Sequence, residues 1–217
     1  MQQPFGLLGG TFDPIHLGHL RLAEELAEAL DLDTVRFLPT GTPPHRAQPV
    51  ASATDRLAMV KLAMAGNSRF VLDEHEVHKT APCYMVDTLT ELRAEVGGQT
   101  TIVLFLGADA FAGLTAWHEW RHLFDLAHIA VARRPGDGGE HWQSRLPAEL
   151  ADEFAARHSP DSGILRASPS GRVFLNTITQ LDIAASRIRG LFAAGLEPRY
   201  LVPDSVLDYI NRNRLYR

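Results

Sequence analysis

FGLLGGTFDPIHLGH, Phe5 to His19, is the stretch whose reading decides how the rest of the chain folds. Phe5 to Leu8 is a short apolar strand, Gly9 and Gly10 make a turn, and after Pro14 an apolar-periodic segment opens a helix. Glycine lets the backbone bend sharply and admits a ligand where a Cβ would collide. The first turn of the helix that follows offers unpaired N–H groups and partial positive charge, which together favour an anion, most often phosphate. His16 and His19 stand three apart at the helix start, on one side of it, with Gly18 between them leaving the approach open. Zinc helices usually space histidines four apart with an acid nearby, so this spacing argues against a metal site.

From this stretch the chain alternates. A helix from His16 to Leu30 carries Leu17, Leu20, Ala23, Ala27 and Leu30 along one stripe, and Thr34 to Leu38 is a second strand. Pro39 to Pro49 is a proline-rich loop holding Pro43, Pro44, His45 and Arg46, the last two being candidates for a phosphate clamp. Ser52 and Asp55 form a capping box for a helix that stops at Gly66, and Phe70 to Leu72 is a third strand. His75 and His78 follow in a polar segment and are expected to be exposed.

Tyr84 to Val96 is a helix closed by Gly97 and Gly98. Thr101 to Leu106, TIVLFL, is apolar without alternation, as expected of a strand covered on both faces. It runs into Gly107 and Asp109, placing Asp109 at the carboxyl end of a central strand, where open α/β sheets bind ligands. Trp117, His118 and Trp120 are expected in one short helix reaching Leu126, and His128 to Ala132 is a fifth strand. Residues 136–171 form a variable excursion around one helical piece, Pro147 to His158. Arg172 to Leu175 is a sixth strand, Ala184 to Ala194 a helix, and Asp204 to Asn213 a last helix with Asp204 as N-cap. The expected fold class is α/β: one domain over residues 1–217, with a Rossmann-like doubly wound parallel sheet, helices on both faces, and a helical part over 176–217. The glycine turn and the Asp109 strand are expected to flank the switch point of that sheet.

Composition narrows the function. A net charge of −5 argues against broad, sequence-independent binding to nucleic acid, which needs a basic face. The single cysteine, Cys83, excludes an intramolecular disulfide and fits a reducing compartment. The opening MQQPFGLLGGTFDP has no basic leader and only a short apolar run, so neither a signal peptide nor a membrane anchor is expected and the protein is placed in the cytoplasm.

The run at 9 to 19 resembles the HxGH signature of the nucleotidylyltransferase superfamily. GGTFDPIHLGH at 9 to 19, PPHR at 43 to 46, YMVDTL at 84 to 89, LGADAF at 106 to 111, TAWHEW at 115 to 120, RRPG at 133 to 136 and IAASRIR at 183 to 189 together look like a bacterial nicotinate-nucleotide adenylyltransferase. The resemblance implies that Gly9, Gly10, Thr11, Phe12 and Gly18 line the ATP path and that His16 and His19 bind its phosphates. It implies that Gly107 and Asp109 meet the adenosine ribose, and that Ile183, Ser186 and Arg189 serve the β and γ phosphates. His45, Arg46, Tyr84, Met85, Thr88, Trp117, His118 and Arg134 would hold the acceptor, nicotinate mononucleotide, with Trp117 stacked on the pyridine ring. Mg²⁺ would arrive with ATP, and the enzyme would be a monomer or a homodimer. Two departures stand out: the family's ISSTxIR element reads Ile183-Ala184-Ala185-Ser186-Arg187-Ile188-Arg189, and its usual threonine after Tyr84 is Met85.

Adenylyl transfer asks for position and positive charge rather than a covalent nucleophile, and Cys83 has no evident base partner. Transfer onto another acceptor, such as nicotinamide mononucleotide, FMN or phosphopantetheine, is the near alternative, and the Tyr84 and Trp117 segments argue against the last two. HLGH also looks like the HIGH signature of class I aminoacyl-tRNA synthetases, but no KMSKS-like loop is present. A non-catalytic nucleotide-binding protein would be favoured by loss of His16, His19 or Arg189, and all three are present.

Overall fold

The computed structural model describes residues 3–41, 48–133, 139–179 and 181–217. Seven strands form one sheet: β1 (Phe5–Gly10), β2 (Val35–Pro39), β3 (Phe70–Leu72), β4 (Ile102–Gly107), β5 (His128–Arg133), β6 (His158–Ser159) and β7 (Val173–Thr177). Their order is β3-β2-β1-β4-β5-β7-β6, and the pairs β1/β4, β4/β5, β5/β7 and β6/β7 are parallel. With helices between the strands, this is the expected Rossmann-like α/β fold. The order reverses direction between β1 and β4.

The chain forms two compact units, each drawn from several segments. The first takes Met1–Leu8, Leu22–Val35 and Tyr84–Gln180; the second takes Gly9–Arg21, Arg36–Cys83 and Leu181–Arg217.

In the first unit, Phe5, Gly6 and Leu7 of β1 lie beside Ile102, Val103 and Leu104 of β4, and every residue of β4 up to Leu106 is buried. A strand buried on both faces has no need of alternation, which explains the unbroken TIVLFL run. Gly6 is required here, because a Cβ would stand 2.4 Å from the Phe105 ring. Helix α3 (Met85–Val96) buries Val86, Leu89, Leu92 and Val96 and closes on Gly97 at φ 87°, a conformation glycine adopts freely. Arg93 on this helix donates to the Leu126 carbonyl at 2.6 Å, to the Pro169 carbonyl at 2.7 Å, and to the Thr100 carbonyl.

The region expected as one short helix to Leu126 is broken. Single 3-10 turns at Leu114–Ala116 and Trp120–His122 precede α5 (Leu123–Leu126); α4 (Ala108–Ala112) comes before them. Trp117 and His118 stand between the turns, and Glu119 with φ 48° interrupts any continuous helix. The excursion holds more structure than one helix: a 3-10 stretch at Gly139–Arg145, α6 (Ala148–Arg157), strand β6, and a second 3-10 stretch at Ser162–Arg166. Leu150 and Phe154 of α6 are buried, and Trp142 meets Phe154 edge-on at 5.5 Å. β6 has only two residues, too few for any periodicity to show.

In the second unit, α2 (Ala53–Met64) begins at the expected capping box: the Ser52 hydroxyl accepts from the Asp55 N–H at 3.1 Å. Its last helical residue is Met64, followed by Ala65 as C-cap. His75 is half-buried rather than exposed, because its Nδ1 meets the buried Asp73 carboxylate at 2.5 Å. The last helix, α8 (Asp204–Arg212), buries Val206, Leu207 and Ile210. Its N-cap is Pro203 and not Asp204, which is the first helical residue and keeps a favourable place near the positive end of the helix dipole. Tyr209 donates to Asp55 Oδ1 at 3.0 Å and the Ser205 hydroxyl to the Leu62 carbonyl at 3.2 Å, which tie α8 to α2.

Candidate active site

The second unit carries the glycine turn, the two histidines and the arginine helix. β1 ends at Gly10, whose carbonyl accepts from the Thr40 N–H at 2.9 Å. Phe12, with φ 49°, turns its ring inward, where it is 2% exposed and sits 5.9 Å from the Phe37 ring and edge-on to His19 at 5.1 Å. A Cβ on Gly10 would come within 3.0 Å of that Phe12 ring. Phe12 thus packs beneath the turn that Gly10 and Thr11 make.

Helix α1 (Leu17–Ala29) begins directly after His16, whose carbonyl accepts from the His19 N–H at 3.0 Å and the Leu20 N–H at 3.3 Å. The His16 and His19 rings are stacked, centroids 3.6 Å apart and planes 23° from parallel. His19 Nδ1 accepts from the His16 N–H at 3.3 Å. A neutral His19 ring must then carry its proton on Nε2, so Nε2 is its donor. A Cβ on Gly18 would lie 3.0 Å from His16 Nδ1 and 3.7 Å from the Ile183 Cβ, so Gly18 leaves the space that His16 and Ile183 share.

Ile183 is buried just ahead of α7 (Ala185–Ala193), whose N-cap is Ala184 with no side-chain cap bond. The hydroxyls missing at 184 and 185 thus fall at the cap and first position of this helix. Ser186 is exposed in its first turn, and Arg189 is one turn further on. Arg189 Nη1 donates to the Asp13 carbonyl at 2.7 Å and stands 3.8 Å from Asp13 Oδ2. The helix at 185–193 and the glycine turn therefore meet on one residue, Asp13.

Three residues to which the motif pattern gave no role, Asp13, Arg56 and Tyr216, complete this part. The Asp13 carboxylate, 5% exposed, accepts from the Val50 N–H at 2.8 Å, the Ala51 N–H at 3.1 Å and the Tyr216 hydroxyl at 2.7 Å. Arg56, 1% exposed, donates to the carbonyls of Thr11 at 2.8 Å, Thr40 at 2.6 Å and Gly41 at 3.1 Å. Burial pulls the Arg56 pKa down while Asp13 opposes the shift, and a guanidinium stays charged regardless. Asp13 lies inside the quoted GGTFDP run and was open to notice there; Arg56 and Tyr216 carry no local signal.

The first unit holds the other candidates. Gly107 is the N-cap of α4, and Asp109 is exposed in the first turn of that helix, two residues beyond β4. Tyr84 is the N-cap of α3, so Met85 is its first residue, a position whose N–H has no partner within a helix. The Tyr84 and His118 rings are 4.6 Å apart at 42°. Thr88 is 1% exposed and its hydroxyl donates back to the Tyr84 carbonyl at 3.4 Å, so this side chain supports Tyr84 from within. Trp117 is half-buried in extended conformation, its N–H bonded to the Leu114 carbonyl at 2.9 Å. His45, Arg46 and Arg134 lie outside the described residues.

Comparison with known proteins follows these motifs. The cytidylyltransferase-like family matches residues 7–191. A protein of Dechloromonas aromatica (strain RCB) named probable nicotinate-nucleotide adenylyltransferase is 55% identical over 217 residues, covering 100% of this chain and 99% of its own. One of Aeromonas hydrophila subsp. hydrophila with the same name is 46% identical over 217 residues, covering 100% and 99%. Among solved structures, Plasmodium falciparum nicotinic acid mononucleotide adenylyltransferase complexed with NaAD matches with a TM-score of 0.71 over 99% of this chain and 98% of that one. At 16% identity that likeness is one of fold.

Proposed function

The chain belongs to the nicotinate-nucleotide adenylyltransferases of the cytidylyltransferase-like family, and from that premise we propose that it joins the AMP part of ATP to nicotinate mononucleotide, in NAD biosynthesis. The observation that carries the reading is the convergence on the Asp13 turn of a stacked histidine pair at a helix start and an arginine from a helix far along the chain. An acceptor phosphate oxygen attacks the α-phosphorus of ATP in line, the bond from that phosphorus to the bridging oxygen breaks, and the electron pair leaves with pyrophosphate. The products are nicotinate adenine dinucleotide and pyrophosphate.

Charge grows on the α-phosphoryl oxygens and on the leaving group as that bond breaks. His19 Nε2–H and the Arg189 guanidinium are donors held in place before the reaction, which is where electrostatic catalysis gains most. No covalent intermediate is needed. Cys83 is buried, with its thiol turned to the carbonyls of Ala81 and Glu76, and takes no part. A divalent cation such as Mg²⁺, arriving with ATP, would supply further positive charge to the triphosphate. Among the described residues no group of three or more His, Cys, Asp or Glu side chains could hold a metal ion.

In the first unit, Asp109, exposed in the first turn of α4, would accept from ribose hydroxyls, and Trp117 would offer its flat face to a pyridine ring. With the backbone N–H groups near Met85 and His118 turned to the ring's substituent, a carboxylate would satisfy both, whereas an amide would set a donor against a donor. His45, Arg46 and Arg134 would add charge for the acceptor phosphate. Among the described residues no helix is long and apolar enough to cross a membrane; we place the enzyme in the cytoplasm, as a monomer or homodimer that binds no nucleic acid.

The test is pyrophosphate release from ATP with a panel of mononucleotide acceptors. Nicotinate mononucleotide should give a kcat/KM about tenfold to a hundredfold above its amide, the cost of leaving one buried donor unpaired. Equal use, or preference for the amide, overturns the acid-specific reading, and release with none of the acceptors overturns the transferase reading itself.

A further inference from the structure

Asp13 has more donors than a turn residue needs. Two amides, of Val50 and Ala51, divide between its oxygens, the Tyr216 phenol takes Oδ1, and Arg189 sits between its carbonyl and its Oδ2. Arg189 holds the carbonyl at 2.7 Å but stays 3.8 Å from the carboxylate. A guanidinium ordinarily closes on a carboxylate as a bidentate pair. Here the carboxylate is already occupied, and the arginine remains 31% exposed.

We propose that Tyr216 is a positioning residue for the triphosphate site: its hydroxyl holds the Asp13 carboxylate in place, which keeps Arg189 tethered through the Asp13 carbonyl and presented to pyrophosphate. The chain goes to some expense to put the phenol there. After α8 it makes two left-handed turns, at Arg214 (φ 53°) and Tyr216 (φ 64°), and neither is glycine. Such residues cost energy unless the surroundings fix them, and they gather at functional sites. The Tyr216 ring is 8% exposed and lies 6.1 Å from Phe192. Phe192 is on α7, the helix that carries Arg189. Tyr216 thus touches the turn through its hydroxyl and the arginine helix through its ring. Burial, reinforced by the bond to Asp13, pushes the phenol pKa upward, so the hydroxyl remains a donor throughout the working pH range.

The inference rests on the pyrophosphate role of Arg189 given above, and a double-mutant cycle separates the two. Tyr216→Phe removes the hydroxyl alone and leaves the ring against Phe192. Asp13 Oδ1 then keeps only the Ala51 amide, and the carboxylate is released to close on Arg189. The expected result is a fall of about threefold to tenfold in kcat/KM for ATP, the worth of one hydrogen bond, with the KM for nicotinate mononucleotide unchanged. In an Arg189→Ala background the same substitution should have no further effect on ATP kinetics, because its route to the phosphates is gone. A Tyr216→Phe loss that persists at full size in the Arg189→Ala background marks a general structural role and overturns the inference. So does a Tyr216→Phe enzyme with unchanged ATP parameters beside an impaired Arg189→Ala enzyme, and that outcome leaves the proposed function standing. Arg189→Ala with unchanged ATP kinetics overturns both the pyrophosphate assignment and the inference built on it.

Discussion

His19 is held by its own neighbour. Because the His16 N–H occupies Nδ1, the ring presents Nε2 as donor, and the Phe12 ring packs edge-on against it. His19→Ala should therefore lower turnover by a factor of about 10² to 10³, the usual cost of deleting one preorganised donor to developing charge, with the acceptor KM little changed. His16→Ala should behave similarly, since it removes the ring stacked on His19. Near-normal turnover in both variants, measured by pyrophosphate release, would falsify the phosphate-charge role. Arg189→Ala should raise the ATP KM, lower turnover, or both, by the about 1.5 to 3 kcal/mol that a charge-assisted contact contributes. With no hydroxyls at Ala184 and Ala185, this arginine is expected to be the main side-chain contact of α7 to the leaving group. Histidines three apart after a glycine turn could be read from order alone, because the partners are local. The Tyr216 to Asp13 bond spans 203 residues and has no local pattern to betray it.

Helix α2 was legible as a helix and not as a support. Its start was plain from Ser52 and Asp55, but Arg56, the next residue, would ordinarily face water. Instead it holds three carbonyls, of Thr11, Thr40 and Gly41, from two loops. Arg56→Met should destabilise the fold by about 3 to 5 kcal/mol, since buried acceptors lose their donor and Asp13 loses a nearby positive charge. Arg56→Lys should recover only part of this, because an ammonium lacks the planar fork. Urea unfolding of the two variants checks both statements; equal stability of Arg56→Met and the parent would show the clamp to be idle. The strands were found wherever an apolar run was long enough to reveal a period. The two-residue β6 and the interrupted turns around Trp117 were not, since Glu119 adopts a left-handed conformation that its residue type does not announce. The extended backbone conformation of Trp117, where a helix was expected, has the same cause.

Stability as a function of pH is carried in part by His128, which is fully buried in β5. Its Nε2 donates to the Ser168 carbonyl at 2.8 Å and its Nδ1 accepts from the Arg172 N–H at 3.0 Å, an arrangement only the neutral ring can make. Burial lowers its pKa in the folded protein; the bonds to Ser168 and Leu165 oppose that, and Arg93 and Arg172 add to it. The unfolded chain then binds more protons than the folded one as pH falls through about 6.5, so stability drops on that side and is fully present above it. Unfolding free energies at pH 5.5 and 7.5 should differ in this direction, and His128→Gln should flatten the difference. A variant with an undiminished pH slope would remove His128 as its source. One consequence follows from the interleaving of the two units. Residues 181–217 belong to the unit that also contains the glycine turn, whereas the other unit is complete by Gln180. A ribosome releases the chain from its first residue, and units fold as they become complete. The Tyr216 phenol emerges 203 residues after Asp13, so a nascent chain carries the glycine turn and its histidines long before the bond that holds the Asp13 carboxylate can form. A chain that stops short of Tyr216 carries the whole signature and lacks the hydroxyl that keeps the Asp13 carboxylate from closing on Arg189.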